Sequence, residues 1–298
     1  EPTAQIIPAC SRQDGSLPPL ASRSVLRNVL DAYTRKGLQP VIAPEMEFYL
    51  VARNTDADSE LVPPIGRSGR RETARLSYSI DAVTEFEDFV EDMYEYADAQ
   101  KLQVDTLIHE NGAAQMEINF RHGDPLSLAD QVFVFKRTVR ETALKYGMYA
   151  TFMAKPMMGE PGSAMHIHQS VLDSNGRNIF VTEAGELSDA FATRVENRFP
   201  GADANPYLAI AASLASGLVG MEAGLQPTKP HQGTANEDAV EIARSLEEGL
   251  RKLRSTPALC ELFGDLFLRA YEAVKLDEFE EFNRVISSWE REHLLLQV

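Results

Sequence analysis

In the segment PVIAPEMEFYLV, residues 40–51, acidic and apolar side chains alternate through Glu45, Met46, Glu47 and Phe48. A period of two belongs to a β-strand, so both carboxylates share one face with their Cα atoms about 6.6 Å apart, while Met46 and Phe48 turn to a core on the other. The stretch Gln115-Met116-Glu117-Ile118-Asn119-Phe120 repeats the pattern with a wholly polar face, and Glu110 closes the preceding strand at a Gly-Ala turn. His166-Ile167-His168 puts two imidazoles on one strand face, and Arg194-Val195-Glu196-Asn197-Arg198 puts two guanidiniums and a carboxylate on another. Each pair alone also fits a solvated strand face or a structural histidine. Several strands doing the same thing crowd like charges, which repel unless cations neutralise them. Carboxylate oxygens with one imidazole suit Mg²⁺ or Mn²⁺. Such metals beside arginine suit a polyphosphate, so the chemistry points to metal-dependent phosphoryl transfer.

Around these strands the chain reads as α+β. The apolar stripe Val25, Leu26, Val29, Leu30 and Tyr33 predicts a helix over 23–36 that stops at Gly37. Residues 52–71, rich in Asp, Pro, Gly and Arg, predict a long loop, and Asp81 opens a helix with Phe86, Phe89, Val90, Met93 and Ala97 at helical spacing. Asp124-Pro125 is an N-cap followed by proline at the first helical position, predicting a helix to Tyr146 with Gly147 as its stop. Strands are expected at 104–108, 115–120, 149–154 and 166–172, with Ser174-Asn175-Gly176 as a hairpin turn. Helices are expected at 206–223, 236–253, 257–275 and 278–292.

Composition removes several classes. With 29 basic against 45 acidic residues in 298, a net charge of −16, the chain has no basic balance to bind nucleic acid. Its longest uncharged run, Asn205 to Met221, contains Asn, Pro, Ser and Gly and falls short of the roughly 20 strongly apolar residues of a membrane span. Cys10 and Cys260 form no metal or redox motif, and EPTAQIIPAC has no signal-peptide pattern, so a reducing, cytoplasmic setting is expected.

The chain resembles the catalytic domain of the glutamine synthetase superfamily. The motifs that carry the resemblance are Pro44-Glu45-Met46-Glu47-Phe48, His109-Glu110 through Gln115-Met116-Glu117, Lys155-Pro156 through Gly162-Ser163-Ala164-Met165-His166-Ile167-His168, Arg194-Val195-Glu196-Asn197-Arg198-Phe199-Pro200 and Ala204-Asn205-Pro206-Tyr207, in family order over most of 23–225. The resemblance implies a bent antiparallel sheet forming half of a bifunnel, backed by helices. It also implies one metal site of Glu47, Glu110 and Glu117 and a second of Glu45, His166 and Glu196. His168 and Ser170 match nucleotide-contacting positions, with Asp105 near the nucleotide. Gly162 and Arg198 match positions that hold glutamate and the transferring phosphate, and Arg194 supports phosphate charge.

By the same resemblance the activity is that of an ATP-dependent ligase using two or more Mg²⁺ or Mn²⁺ ions. The γ-carboxylate of glutamate takes the γ-phosphoryl group of ATP, and an amine displaces phosphate from the acyl phosphate. The phrases Ile65-Gly66-Arg67-Ser68-Gly69-Arg70-Arg71-Glu72, Ala114 to Phe120 and Ser163 to Ser170 resemble the γ-glutamylpolyamine synthetase branch, which implies putrescine or a related polyamine as the amine. Pro161 stands where ammonia-using enzymes usually carry an Asn that touches glutamate.

The chain is read as one catalytic domain, 1–298, with two departures: the family's N-terminal β-grasp domain does not precede Glu1, and the long segment that carries the family's flap glutamate is missing near 190–193. The resemblance implies a homo-oligomer, rings of six stacked as a dodecamer, with glutamate, ATP and an amine as partners and no nucleic acid or membrane. Two alternatives stand beside this reading: an ammonia-using glutamine synthetase, and a catalytically silent homologue that keeps the fold. A glycosidase reading of the paired carboxylates explains neither the imidazoles nor the arginines.

Overall fold

The computed structural model describes Ile7 and residues 11–56, 58–181, 194–226 and 242–296. The segment 227–241, where the helix expected at 236–253 begins, the stretch near 190–193 where a missing segment is expected, and all of 1–10 except Ile7 lie outside the described residues. The chain divides into two compact units, one of Glu1–Ile7 and Tyr33–Leu214, the other of Pro8–Ala32 and Ala215–Val298.

The first unit is built on an antiparallel sheet whose longest strand is β1 (Gln39–Ala52). Along one edge β1 pairs with β3 (Gln115–Phe120), which in turn pairs with β2 (Val104–His109). Its other partners are β5 (Met165–Leu172), alongside Gln39–Met46, and β4 (Met148–Thr151), alongside Tyr49–Ala52. Beyond β5 lies the short β6 (Val195–Asn197). The strand expected at 149–154 is shorter than predicted because β1 runs out of free edge. Past Thr151, the Glu47 amide donates to Ala164 O at 3.0 Å and the β5 pairing takes over, so the chain peels away.

Alternation divides the sheet as the sequence requires. Met46, Phe48, Met116 and Ile118 are fully buried. Against them pack α3 (Glu87–Ala99) and α4 (Pro125–Lys145): Phe48 meets Phe89 and Phe135 edge-on, each with centroids 6.5 Å apart, and Phe152 at 5.5 Å. The α4 start is the one the sequence predicts, with Asp124 accepting from the Ser127 amide at 2.8 Å and Pro125 in the first turn. The helix stops at Gly147, whose φ of 73° a side chain would resist. The helix expected from Asp81 breaks in two, α2 (Ile80–Thr84) and α3, because Phe86 leaves helical geometry at φ −122°. Glu85 beside the break accepts two amides of the 65–71 loop, Arg67 through its carbonyl and Ser68 through its carboxylate.

The helix α1 (Ser22–Arg35) buries Val25, Leu26, Val29 and Tyr33 of the predicted stripe and leaves Leu30 half-buried, and α5 (Pro206–Glu222) follows the last strand; both contribute residues to each unit. The rest of the second unit is α6 (Leu246–Arg254), α7 (Pro257–Phe263), α8 (Asp265–Asn283) and α9 (Ser288–Leu294). Its breaks fall elsewhere than the sequence suggests. The expected helix 257–275 is split at Gly264, which takes φ 85°, and α8 then runs through 276–278 without interruption. Arg254, the last residue of α6, ties that helix to α8, reaching Asp265 at 3.2 Å and Glu272 at 3.0 Å. Ser287 and Glu290 form a capping box that starts α9. Among the described residues no helix is long and apolar enough to cross a membrane.

Candidate active site

The polar face of the sheet carries the acids and imidazoles. Register sets Glu45 opposite His166 and Asn119, Glu47 opposite Glu117, and His168 opposite Glu196. Four strands therefore converge on one patch, which lies within the first unit. His166 is its hub: Nδ1 lies 3.0 Å from Glu45 Oε2 and 3.7 Å from Glu196 Oε1, and Nε2 lies 3.6 Å from Glu47 Oε1. His168 Nε2 donates to the other Glu45 oxygen at 2.7 Å.

Two groups of donors have ligand atoms within 4.8 Å of one another, Glu45, His166 and Glu196 in one, Glu47, Glu117 and His166 in the other. The first is the trio the resemblance assigns to one ion. In the second, His166 stands beside Glu47 and Glu117 where the resemblance gives Glu110. The Glu110 carboxylate is turned onto its neighbour, accepting from the Asn111 amide at 3.0 Å and its side chain at 2.9 Å. It remains close enough for its charge to raise the pKa of Glu47 and Glu117.

The electrostatics are those of a site short of positive charge. Burial, then the charges of Glu45, Glu110 and Glu47, push Glu117 up to about 7. Burial also raises Glu47. Glu45 is held below its ordinary value by its hydrogen bond with His166. For His166, burial opposes the charge, but the Glu45 hydrogen bond and the Glu47 charge outweigh it and raise its pKa. Hard carboxylate oxygens gathered around one imidazole, with two acids displaced toward protonation, form a donor set that fits Mg²⁺ or Mn²⁺.

The remaining sequence-predicted residues fall on either side of this patch. Asp105, His168, Ser170 and Arg194 all line a cavity of about 670 Å³ that reaches Glu45. Asp105 sits at the irregularity in the β2–β3 pairing and lies 3.7 Å from Arg121. Arg198 forms an ion pair with Glu196. Gly162 is packed so closely that a Cβ there would lie 2.8 Å from Ala154 O, and its own carbonyl accepts from Gln115 at 2.9 Å.

Gln115 has no role among the residues expected from sequence. Buried at the start of β3, it donates to Glu47 Oε2 at 3.2 Å and to Gly162 O, linking a metal-facing acid to the glycine loop. Its place two residues before Glu117 on the same polar face was the available signal. Arg121 and His122 also line the cavity without having been predicted. Cys260 is half-buried in α7, away from these residues in sequence and unit, and Cys10 lies outside the described residues.

Comparisons with known proteins agree with this arrangement. A family model described as "Glutamine synthetase, catalytic domain" matches residues 19–192 and 187–294. The chain is 30% identical to the gamma-glutamylputrescine synthetase PuuA of Escherichia coli strain K12 over 343 aligned positions, covering 95% of this chain and 73% of that protein. It is 29% identical to the glutamate–isopropylamine ligase of a Pseudomonas species, covering 97% and 76%. Among solved structures, apo GmaS without ligand superposes with a TM-score of 0.79 at 25% identity, over 95% of this chain and 78% of that one. Its ADP complex gives 0.80 at 24% identity, a likeness of fold. With its donors in register on one sheet face and a family match across most of its length, the chain belongs to the glutamine synthetase catalytic-domain family.

Proposed function

We propose that this chain, an ATP-dependent carbon–nitrogen ligase of the glutamine synthetase family, joins the γ-carboxylate of glutamate to a polyamine such as putrescine. The observation that carries the reading is the adjacency of the two carboxylate–imidazole groups to the cavity of about 670 Å³ lined by Asp105, His168, Ser170 and Arg194. In this reading the cavity seats the nucleotide of ATP, and its phosphates run toward Glu45. Glu45, His166 and Glu196 would hold one Mg²⁺ or Mn²⁺ ion, and Glu47 and Glu117, with Glu110 beside them, another. Divalent cations, when bound, screen the approach of one anion to another.

The chain's own groups do the rest. Arg194 and Arg198 add positive charge where phosphate charge moves, and Gly162 matches the family position that holds glutamate. The γ-carboxylate oxygen attacks the γ-phosphorus of ATP, ADP leaves, and γ-glutamyl phosphate forms. The amine nitrogen then attacks the acyl carbon, phosphate departs, and the nitrogen loses a proton to give the amide. Exclusion of water protects the acyl phosphate from hydrolysis.

Support for a polyamine comes from the phrases at 65–72, 114–120 and 163–170 and from 30% identity to a gamma-glutamylputrescine synthetase. By family analogy the working form is a homo-oligomer of stacked six-membered rings. A second reading, a silent homologue, is favoured by one observation. The family match comes in two pieces that meet at 187–192, and the 343 aligned positions outnumber the 298 residues here, which supports a shortened segment near 190–193.

Phosphate release from ATP by the full chain with Mg²⁺ and glutamate separates these readings. Release stimulated by putrescine or spermidine more than by ammonia is the expected result. Stimulation by ammonia alone makes the protein a glutamine synthetase, and no release with any amine makes it silent.

A further inference from the structure

The turn between β2 and β3, residues 110–114, delivers Glu110 on one side and Glu117 on the other, and its four consecutive backbone amides from Asn111 to Ala114 are each taken by a side chain, that of Asn111 by Glu110 itself at 3.0 Å. Gly112 N donates to Gln115 Oε1 at 2.9 Å, Ala113 N to Glu160 Oε2 at 3.3 Å and Ala114 N to Glu72 Oε2 at 2.8 Å. Successive amides aimed outward make an anion-holding concavity. Here the chain fills it with its own carboxylates. Ala114 takes φ 57°, a left-handed conformation that a residue other than glycine keeps only when its surroundings enforce it.

Glu72 grips the turn twice. Its Oε2 also lies 3.0 Å from His109 Nε2, and the other nitrogen of that fully buried ring lies 2.7 Å from the Glu110 carbonyl oxygen. The Glu72 side chain is only 9% exposed, and its second oxygen is buried with no hydrogen-bond partner. A buried carboxylate held by one oxygen through two donors acts by position. Arg75, three residues on, reaches Gly159 O at 2.6 Å and lies 3.6 Å from Glu160, so the same loop ties down the other carboxylate of the turn.

We infer that Glu72 is a positioning residue for the metal-facing acids. It fixes the 110–114 turn through the Ala114 amide and His109, and thereby sets Glu110 directly and Glu117 and Glu47 through Gln115. Glu72 ends the Ile65–Glu72 phrase that resembles the γ-glutamylpolyamine synthetase branch, and through it the outer loop is coupled to the ion-binding face. The consequence for turnover rests on the ligase reading; the consequence for ion affinity does not, because that affinity is measured without substrates.

Partners that orient metal ligands from behind typically change metal affinity about 10–100-fold when lost. Mn²⁺ affinity of the full chain, measured by electron paramagnetic resonance for wild type, Glu72→Gln and Glu72→Asp, tests the inference. The glutamine keeps the length and one oxygen able to accept from both donors, and its amide nitrogen replaces the oxygen that has no partner. The aspartate keeps the charge but withdraws by about 1.5 Å, one carbon–carbon bond. The expected result is Mn²⁺ affinity within about threefold of wild type for Glu72→Gln and weakened at least about tenfold for Glu72→Asp. The reverse order, which would make Glu72 a mere charge near the ions, or no change in either variant, overturns the inference. A wild type that binds Mn²⁺ and turns over no amine sinks the ligase reading and leaves this one standing.

Discussion

Glu47 and Glu117 face each other directly across the β1–β3 ladder, both buried. Like charges at opposed positions destabilise a sheet, and burial adds the cost of desolvating each. A strand pair that served only the fold would not place two acids there. The arrangement is stable when one acid keeps its proton or when a cation lies between them.

That alternative gives a pH dependence with a definite sign. Glu117 titrates near 7 in the folded chain against an ordinary 4.5, so between those values the folded state holds a proton the unfolded state has lost. The stability this brings is complete below pH 4.5 and is lost as pH rises through 7. The raised pKa values of Glu47 and His166 act in the same direction, while Glu45, whose pKa is lowered, acts oppositely and only at more acidic pH. Thermal unfolding in EDTA is predicted to show stability falling from about pH 5 to about pH 8, by on the order of 3 kcal/mol from Glu117. Mn²⁺ should bind more tightly over the same interval, with release of protons.

Glu117→Gln removes one of the opposed charges and keeps the shape. In EDTA at about pH 8 it is expected to raise stability by roughly 1–3 kcal/mol, the range for relieving a buried charge. The same change should weaken Mn²⁺ binding. Calorimetry in EDTA beside an Mn²⁺ titration measures the two effects, and a variant less stable than wild type in EDTA would contradict the electrostatic account.

The site was legible where its chemistry coincides with a local period. Glu45 and Glu47, Gln115 and Glu117, and His166 and His168 each announce a strand face by spacing two, and the ladder brings those faces together as expected. The Asp124-Pro125 start and the Gly147 stop of α4 were readable for the same reason, being local signals. What escaped depends on tertiary context. Gly264 interrupts a run of good helix periodicity through a positive φ that no neighbouring residue betrays. The break at Phe86 reflects the 65–71 loop lying against Glu85. Glu72 reads in the sequence only as the end of the Ile65–Glu72 phrase, because its partners, His109 and Ala114, lie 37 and 42 positions away.

Gly162→Ala introduces a Cβ that would sit 2.8 Å from Ala154 O, a backbone atom that cannot swing aside. Overpacking of this kind costs about 1–3 kcal/mol. Because the displaced loop also carries the carbonyl that Gln115 holds, turnover is expected to fall by more than the stability loss alone implies. Comparing melting temperature with phosphate release at a temperature where the variant is fully folded makes the distinction.

Phe48, next to Glu47 and paired with Met116 across the ladder, is wholly buried among Phe89, Phe135 and Phe152. Phe48→Ala should destabilise the chain by about 3–5 kcal/mol through the cavity it leaves. Denaturant unfolding gives the value, and a loss below about 1 kcal/mol would mean that the α3–α4 layer does not anchor β1.

Mass spectrometry of the product formed by the full chain from ATP, Mg²⁺ and glutamate, with putrescine and ¹⁵N-labelled ammonia in one vessel, decides whether the chain is an amine ligase and which amine it takes. γ-Glutamylputrescine is the expected main product, dependent on ATP and abolished by Glu45→Ala. Labelled glutamine as the main product would contradict the polyamine assignment, and formation of neither amide would contradict the ligase itself.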